Sequence, residues 1–241
     1  MHMRVRGRRE CRDCGTRWSY FETGELSCPA CGGLHSVGRD DPREHTDLAP
    51  DLSLDAVRAS LAEAPLERTA WRARRTAGEY LRRRGFIRGG ALAPLDDTFL
   101  AAAELRHVAG HLERDRTPDE RVEAYFLDLL ETVDRDERLP ATAVPRPLRS
   151  ARGLAVVDAV ERYTRETRRF RPGRDLGPTE RTVLDRLEAQ TTRLGHLDGD
   201  VPPERAEILV VATRELSRAI RGNGEEDLAR ALERLDGLPF E

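Results

Sequence analysis

From residue 53 to the end of the chain, apolar side chains recur at helical spacing. Leu54, Val57 and Leu61 fall at i, i+3 and i+7, and Pro65 suits the first turn of a second helix. Asp96 or Asp97 stands where a cap belongs, ahead of Leu105, Val108 and Leu112 on one face. Thr117-Pro118-Asp119-Glu120 has the form of a capping box with proline at the first helical position. It opens the clearest stripe, Val122, Tyr125, Phe126, Leu129, Leu130 and Val133. Pro140, Pro145 and Pro147 then interrupt the periodicity, and four more helices follow over 151–170, 179–197, 204–221 and 225–235, with Asn223 placed to cap the last. No alternating strand signal appears after residue 40. Before it, short strands are expected over 4–10, around Trp18, Tyr20 and Phe21, and over 34–37.

This pattern predicts a mainly α protein with a small β ribbon in front. The expected divisions are a ribbon at 1–40, a polar linker at 41–52, a helical half at 53–139, a proline-rich linker at 140–150 and a second helical half at 151–241. Eight helices in two groups of four fit helical hairpins or bundles.

The ribbon carries all four cysteines, Cys11, Cys14, Cys28 and Cys31, in the spacing C-x2-C-x13-C-x2-C. Two thiolates three positions apart on a tight turn reach one ion from the same side, and two such turns close a tetrahedral four-sulfur site. Gly15 and Gly32 follow the second cysteine of each pair, where the turn calls for positive φ. The expected cofactor is one structural Zn²⁺; the same geometry also accommodates iron. A closed four-sulfur site leaves no position for water or substrate. A forty-residue segment also buries too little apolar area to fold alone, so the metal supplies folding free energy.

Strand, CxxCG knuckle, strand, CxxCG knuckle, strand over residues 4–38 resembles the zinc ribbon of the transcription factor IIB type. The resemblance carries over to Cys11, Cys14, Cys28, Cys31, Gly15 and Gly32. It implies a ribbon that binds a polymerase, ribosomal RNA or another protein. It covers about a sixth of the chain, and the cyclin-like repeats of a general transcription factor are missing. By composition the whole chain also resembles uncharacterised ribbon-plus-helix proteins of halophilic archaea.

Charged residues make up 35 % of the chain and aromatics 5 %, so its core must come mainly from Leu, Val and Ala. All 41 basic residues are arginine. Without lysine, a P-loop and Schiff-base chemistry are excluded. There is no GxSxG, no spare cysteine and no glycine-rich strand-to-helix loop, and the chain is expected not to be an enzyme and to take no small-molecule substrate. The start Met1-His2-Met3-Arg4 lacks an apolar run, and no segment is long enough to span a membrane, which predicts a cytoplasmic protein. Glu104, His107 and His111 share a helix face, but the general-base glutamate of an HExxH site is missing, so ordinary histidines are expected there.

The segment 68–88 holds eight arginines and one acid, Glu79. At about 100° per residue, Arg68, Arg72, Arg75, Arg82 and Arg83 fall on one side of the helix. Leu66, Ala70, Ala73, Ala77 and Leu81 fall on the other. Guanidinium forks match phosphate oxygens, so such a stripe can neutralise several phosphates. Alternatively, Asp115, Asp119, Glu120 and Glu123 can absorb it by intramolecular pairing. A second basic run with Phe170 lies over 165–174. The leading expectation is a non-catalytic zinc protein that engages nucleic acid or a nucleoprotein machine. The other is a protein-interaction adaptor whose arginines are tied up internally.

Overall fold

The computed structural model describes residues 3–48, 50–115, 117–170, 175–222 and 224–238. The ribbon is built from β1 (Met3–Val5), β2 (Arg8–Cys11), β3 (Arg17–Ser19), a single helical turn α1 (Tyr20–Thr23), β4 (Ser36–Gly38) and β5 (Arg43–His45). β3, β2 and β4 form one antiparallel sheet, with Arg9 opposite Trp18 on one side and Gly38 on the other. Glu10 ties the sheet together by accepting from Arg17 at 3.1 Å and Arg39 at 3.0 Å. These guanidiniums, Arg39 first, hold the Glu10 carboxyl below its ordinary range.

Three sequence expectations change here. Residues 4–10 are not one strand: β1 leaves the sheet and pairs with β5, Val5 opposite Arg43. The break comes at Gly7, which lies flat under the Phe21 ring; a Cβ there would sit 2.0 Å from Phe21 Cε2. Within 41–52, read as linker, β5 is a strand, and the buried His45 and Asp47 follow from it. Tyr20 and Phe21 also leave the strand and form α1.

The helical body comprises α2 (Asp55–Ala59), α3 (Leu66–Arg83), a two-residue hairpin β6 (Ile87–Arg88) and β7 (Ala91–Leu92), α4 (Asp97–Leu112), α5 (Glu120–Thr132), α6 (Arg149–Arg169), α7 (Pro178–His196), α8 (Pro203–Gly222) and α9 (Glu225–Asp236). The β6–β7 hairpin corrects the reading that no strand follows residue 40; two residues per strand are too few to show a period. Asp96 caps α4 by accepting from Phe99 N at 2.8 Å. Asp119, rather than Thr117, caps α5, accepting from Arg121 N at 2.7 Å. Asn223 and residues 171–174 of the second basic run lie outside the described residues.

α4 is the central helix. Its run Leu100-Ala101-Ala102-Ala103 is buried on every side, as are Leu105, Val108, Ala109 and Leu112. A helical stretch apolar all round belongs in the middle of a protein, and alanines let neighbours approach closely. α3 and α6 both pack against it. Core residues from Leu54 to Leu238 form one cluster that takes in side chains from both sides of the proline-rich segment.

That cluster encloses charge. Glu104, fully buried, pairs with Arg152 and accepts from Tyr125 Oη at 2.6 Å. Arg152 also donates to Glu207 at 2.9 Å and to the Leu139 carbonyl at 3.1 Å, and Arg138 grips Glu207 with both amino groups at 2.6 and 2.8 Å. Burial, with the Glu104 charge alongside, pushes the Tyr125 hydroxyl well above its ordinary value.

Ribbon and body meet at β5. Thr46 donates from its hydroxyl to Glu166 at 2.6 Å and from its backbone to Ile87 O at 2.8 Å. Asp47 holds Arg84 and Arg88, and Arg84 reaches on to Asp96 at 2.7 Å. Arg162 closes the end of α3 by donating to Leu81 O at 3.0 Å and Arg84 O at 2.8 Å.

Candidate metal centre and arginine face

The two knuckles repeat the same backbone arrangement. Gly15 N donates to Cys11 O at 3.1 Å and Gly32 N to Cys28 O at 2.8 Å. Gly15 and Gly32 both adopt positive φ, 74° and 71°, where a side chain would be strained. The turns bring Cys11 Sγ to 3.7 Å from Cys31 Sγ and Cys14 Sγ to 3.5 Å from Cys28 Sγ. All four sulfurs lie within 4.8 Å of one another. A tetrahedron of thiolates around an ion at 2.3 Å has edges of ~3.8 Å, so the cluster has the size a bound ion requires. Cys11 and Cys28 are buried, Cys14 and Cys31 exposed.

Charge makes the same point. The Thr16 hydroxyl, 3.2 Å from Cys14 Sγ, favours the thiolate and, with the Thr16 backbone, lowers that thiol to about 6. At Cys31 the Gly33 backbone also favours the thiolate, but the three neighbouring sulfurs outweigh it and push the thiol up to about 12. Thiolates this close repel one another, and a cation between them would offset that repulsion.

Among the described residues this is the one cluster of His, Cys, Asp and Glu side chains placed to hold an ion. Glu104 and His107 diverge: the first points into the core charge cluster, while His107 Nε2 lies 2.5 Å from Asp158 on α6.

α3 and the turn and strand that follow it divide their arginines into two sets. Thr69, Ala70, Ala73, Ala77, Tyr80 and Leu81 form its buried face. Arg74 reaches Glu113 at 2.9 Å, and Arg84 and Arg88 are taken by Asp47. Arg68, Arg72, Arg75, Arg82 and Arg83 lie on the opposite side, and among the described residues none of them makes an ion pair; Arg72 is half-buried and the other four are exposed. Of the acids named as their partners, Asp119 caps α5 and Asp115 accepts from Thr117 N at 3.1 Å, and none of the four pairs with these arginines among the described residues.

One residue of this face was missed. Trp71 is 49 % exposed, and the Arg75 guanidinium stands 5.6 Å from its ring centroid. Its position between Ala70 and Arg72 was the available signal, because it projects beside the arginines rather than toward the alanines. In the ribbon, Tyr20 is the buried aromatic, Phe21 is half-buried against His45 at 5.0 Å, and Trp18 is partly exposed, its Nε1 donating to Glu25 O at 3.0 Å.

A family match runs over residues 3–235. The chain belongs to DUF7117, a family of unknown function. The DUF7117 match takes in both the cysteine cluster and the arginine face. No curated protein and no solved structure matches the chain. The clustered cysteines are compatible with a zinc ribbon, and the family match does not extend to the transcription factor IIB type. No described helix is long and apolar enough to cross a membrane.

Proposed function

We propose that this DUF7117 chain is a non-catalytic zinc protein that binds nucleic acid, alone or within a nucleoprotein complex. The observation that carries this reading is the arginine face of α3: five guanidiniums on one side of one helix, without carboxylate partners among the described residues, in a chain whose other arginines are widely paired. Unpaired guanidiniums repel one another, and phosphate oxygens relieve that repulsion with bidentate hydrogen bonds. An adaptor whose arginines are tied up internally requires the opposite arrangement. The ion at Cys11, Cys14, Cys28 and Cys31 is Zn²⁺ in this reading, with a structural role: four protein sulfurs fill its coordination shell and leave no site for substrate.

The test is a salt titration of binding to mixed-sequence RNA and DNA by the metal-loaded protein. Changing Arg68, Arg72, Arg75, Arg82 and Arg83 together to Ala is expected to weaken binding by at least about a hundredfold at low salt and to flatten the salt dependence. Unchanged affinity and slope would remove the α3 face from the mechanism. Metal analysis is expected to return one zinc per chain.

A further inference from the structure

The α3 arginines do not stand alone. A concavity lined by Trp71, Arg74, Arg75, Arg82, Arg106 and Glu113 opens along one edge of the α3 face. It shares Gly78, Arg82 and Arg106 with a second, between α3, α4 and α6. That one shares Glu161 and Arg165 with a third, between α6 and α7, where Arg168 and Arg169 stand. Through these shared residues the three adjoin along one path, the trough, which joins the basic run of α3 to the basic end of α6, about ninety residues away in sequence.

Its charge is lopsided. Eight arginines and four carboxylates line it. Each carboxylate already has an arginine: Glu113 with Arg74 at 2.9 Å, Asp158 with Arg106, Glu161 with Arg165 at 4.0 Å, and Glu188 with Arg168 at 2.5 Å. Arg75, Arg82 and Arg169 remain without an ion pair among the described residues. Gly78 on α3 lies where the trough turns from α3 toward α6, with the Arg82 and Arg106 side chains 3.8 and 3.9 Å from where a Cβ would sit. Trp71, at one end, offers a ring face to solvent.

We infer that this trough binds a single strand of nucleic acid, its backbone following the arginines from Arg75 and Arg82 to Arg165 and Arg169 and a base stacked on Trp71. The inference rests on the nucleic-acid reading of the α3 face and narrows it to one edge of that face. A tryptophan stacks on a base only if that base is unpaired; a duplex keeps its bases stacked on each other. The trough follows α3 for about 11 residues and α6 for a similar distance, ~16 Å each at 1.5 Å per residue, so several nucleotides span it. Arg72 and Arg83 lie on the other edge of the α3 face and outside the trough.

That division supplies the test. Fluorescence anisotropy with labelled U-rich RNA, dT-rich DNA and a duplex, each of about 12 nucleotides or base pairs, is measured on the metal-loaded full chain. Single strands are expected to bind at least about tenfold tighter than the duplex, and the RNA and DNA arms rank the two sources of the strand. Arg165→Ala with Arg169→Ala is expected to lower the salt slope by about 1.4, the loss of two phosphate contacts on a single strand, whereas Arg72→Ala with Arg83→Ala leaves it unchanged. Trp71→Ala is expected to cost about tenfold with the slope retained. All five side chains lie at the surface, and circular dichroism checks that each variant is folded. If the Arg72/Arg83 pair matters and the Arg165/Arg169 pair does not, the trough is wrong and the α3 face survives. Tighter binding of the duplex overturns the single-strand inference in the same way. Absence of binding to any of the three sinks both readings.

Discussion

The ribbon and the helical body are held together by different forces. Apart from Cys11 and Cys28, the only buried apolar side chain described before residue 46 is Tyr20. The body buries a continuous set of Leu, Val, Ala and aromatic side chains from Leu54 to Leu238. A structural zinc site supplies on the order of 10 kcal/mol toward folding, and a ribbon of this size has no comparable apolar term. The body has taken a charge cluster, Glu104, Arg152, Glu207 and Arg138, into its interior. Buried charges are tolerable only while every partner is present. So with an ion in the four-sulfur site the ribbon is vulnerable to its loss, and the body to loss of one partner.

Removing the metal gives the largest expected effect. A strong chelator is expected to collapse amide protection across β2, β3 and β4 and leave the helical circular dichroism signal almost intact. Hydrogen exchange followed by mass spectrometry reads both at once, and joint unfolding would show that the ribbon and the body are not separately stabilised. Next in size is Glu104→Gln. It strips the buried pair of one charge while Glu207 still holds Arg152, and it is expected to cost about 3 kcal/mol in chemical denaturation of the body without changing metal content. A loss below about 0.5 kcal/mol would make the cluster incidental to the fold.

The smallest effect lies where the two regions touch. His45 is 2 % exposed and its Nδ1 accepts from Gly89 N at 3.3 Å, so the ring is held neutral. Burial lowers its pKa; the Asp47 charge pulls the other way and Arg88 adds to burial. Below about 6.5 the unfolded chain takes up a proton that the folded chain refuses, so stability falls as pH falls through that range and is regained as pH rises. His45→Asn keeps an acceptor near Gly89 and removes the titration. Its melting temperature is expected to vary less between pH 7.5 and pH 5.5 than that of the wild type, as measured by scanning calorimetry. Equal slopes would discharge His45 from the contact.

Most helices were legible because burial of one face imposes a period. Val122, Tyr125, Phe126, Leu129, Leu130 and Val133 are all buried, as their spacing predicts. α4 was only half legible: Leu105, Val108 and Leu112 marked one face, while Ala101, Ala102 and Ala103 gave no sign that the other faces are covered too. Short strands were the weak point. β5 and the β6–β7 hairpin have three and two residues per strand, too few for an alternation, although Gly89-Gly90 between the latter two is a turn signal that went unused. Asp47 and Thr46 looked like linker because their partners, Arg84, Arg88 and Glu166, lie from 37 to 120 residues away.

The sequence alone determined the four-sulfur cluster and the side of α3 on which its arginines stand. Both are set within a few residues, by the turn between two cysteines and by the pitch of a helix. Tertiary structure decided which arginines are spoken for and which surfaces they share. An ion pair forms only where another element brings a carboxylate within a few ångströms, and no local spacing records that Asp47 reaches Arg84, or that α6 lays Arg165 and Arg169 along the same trough as Arg82.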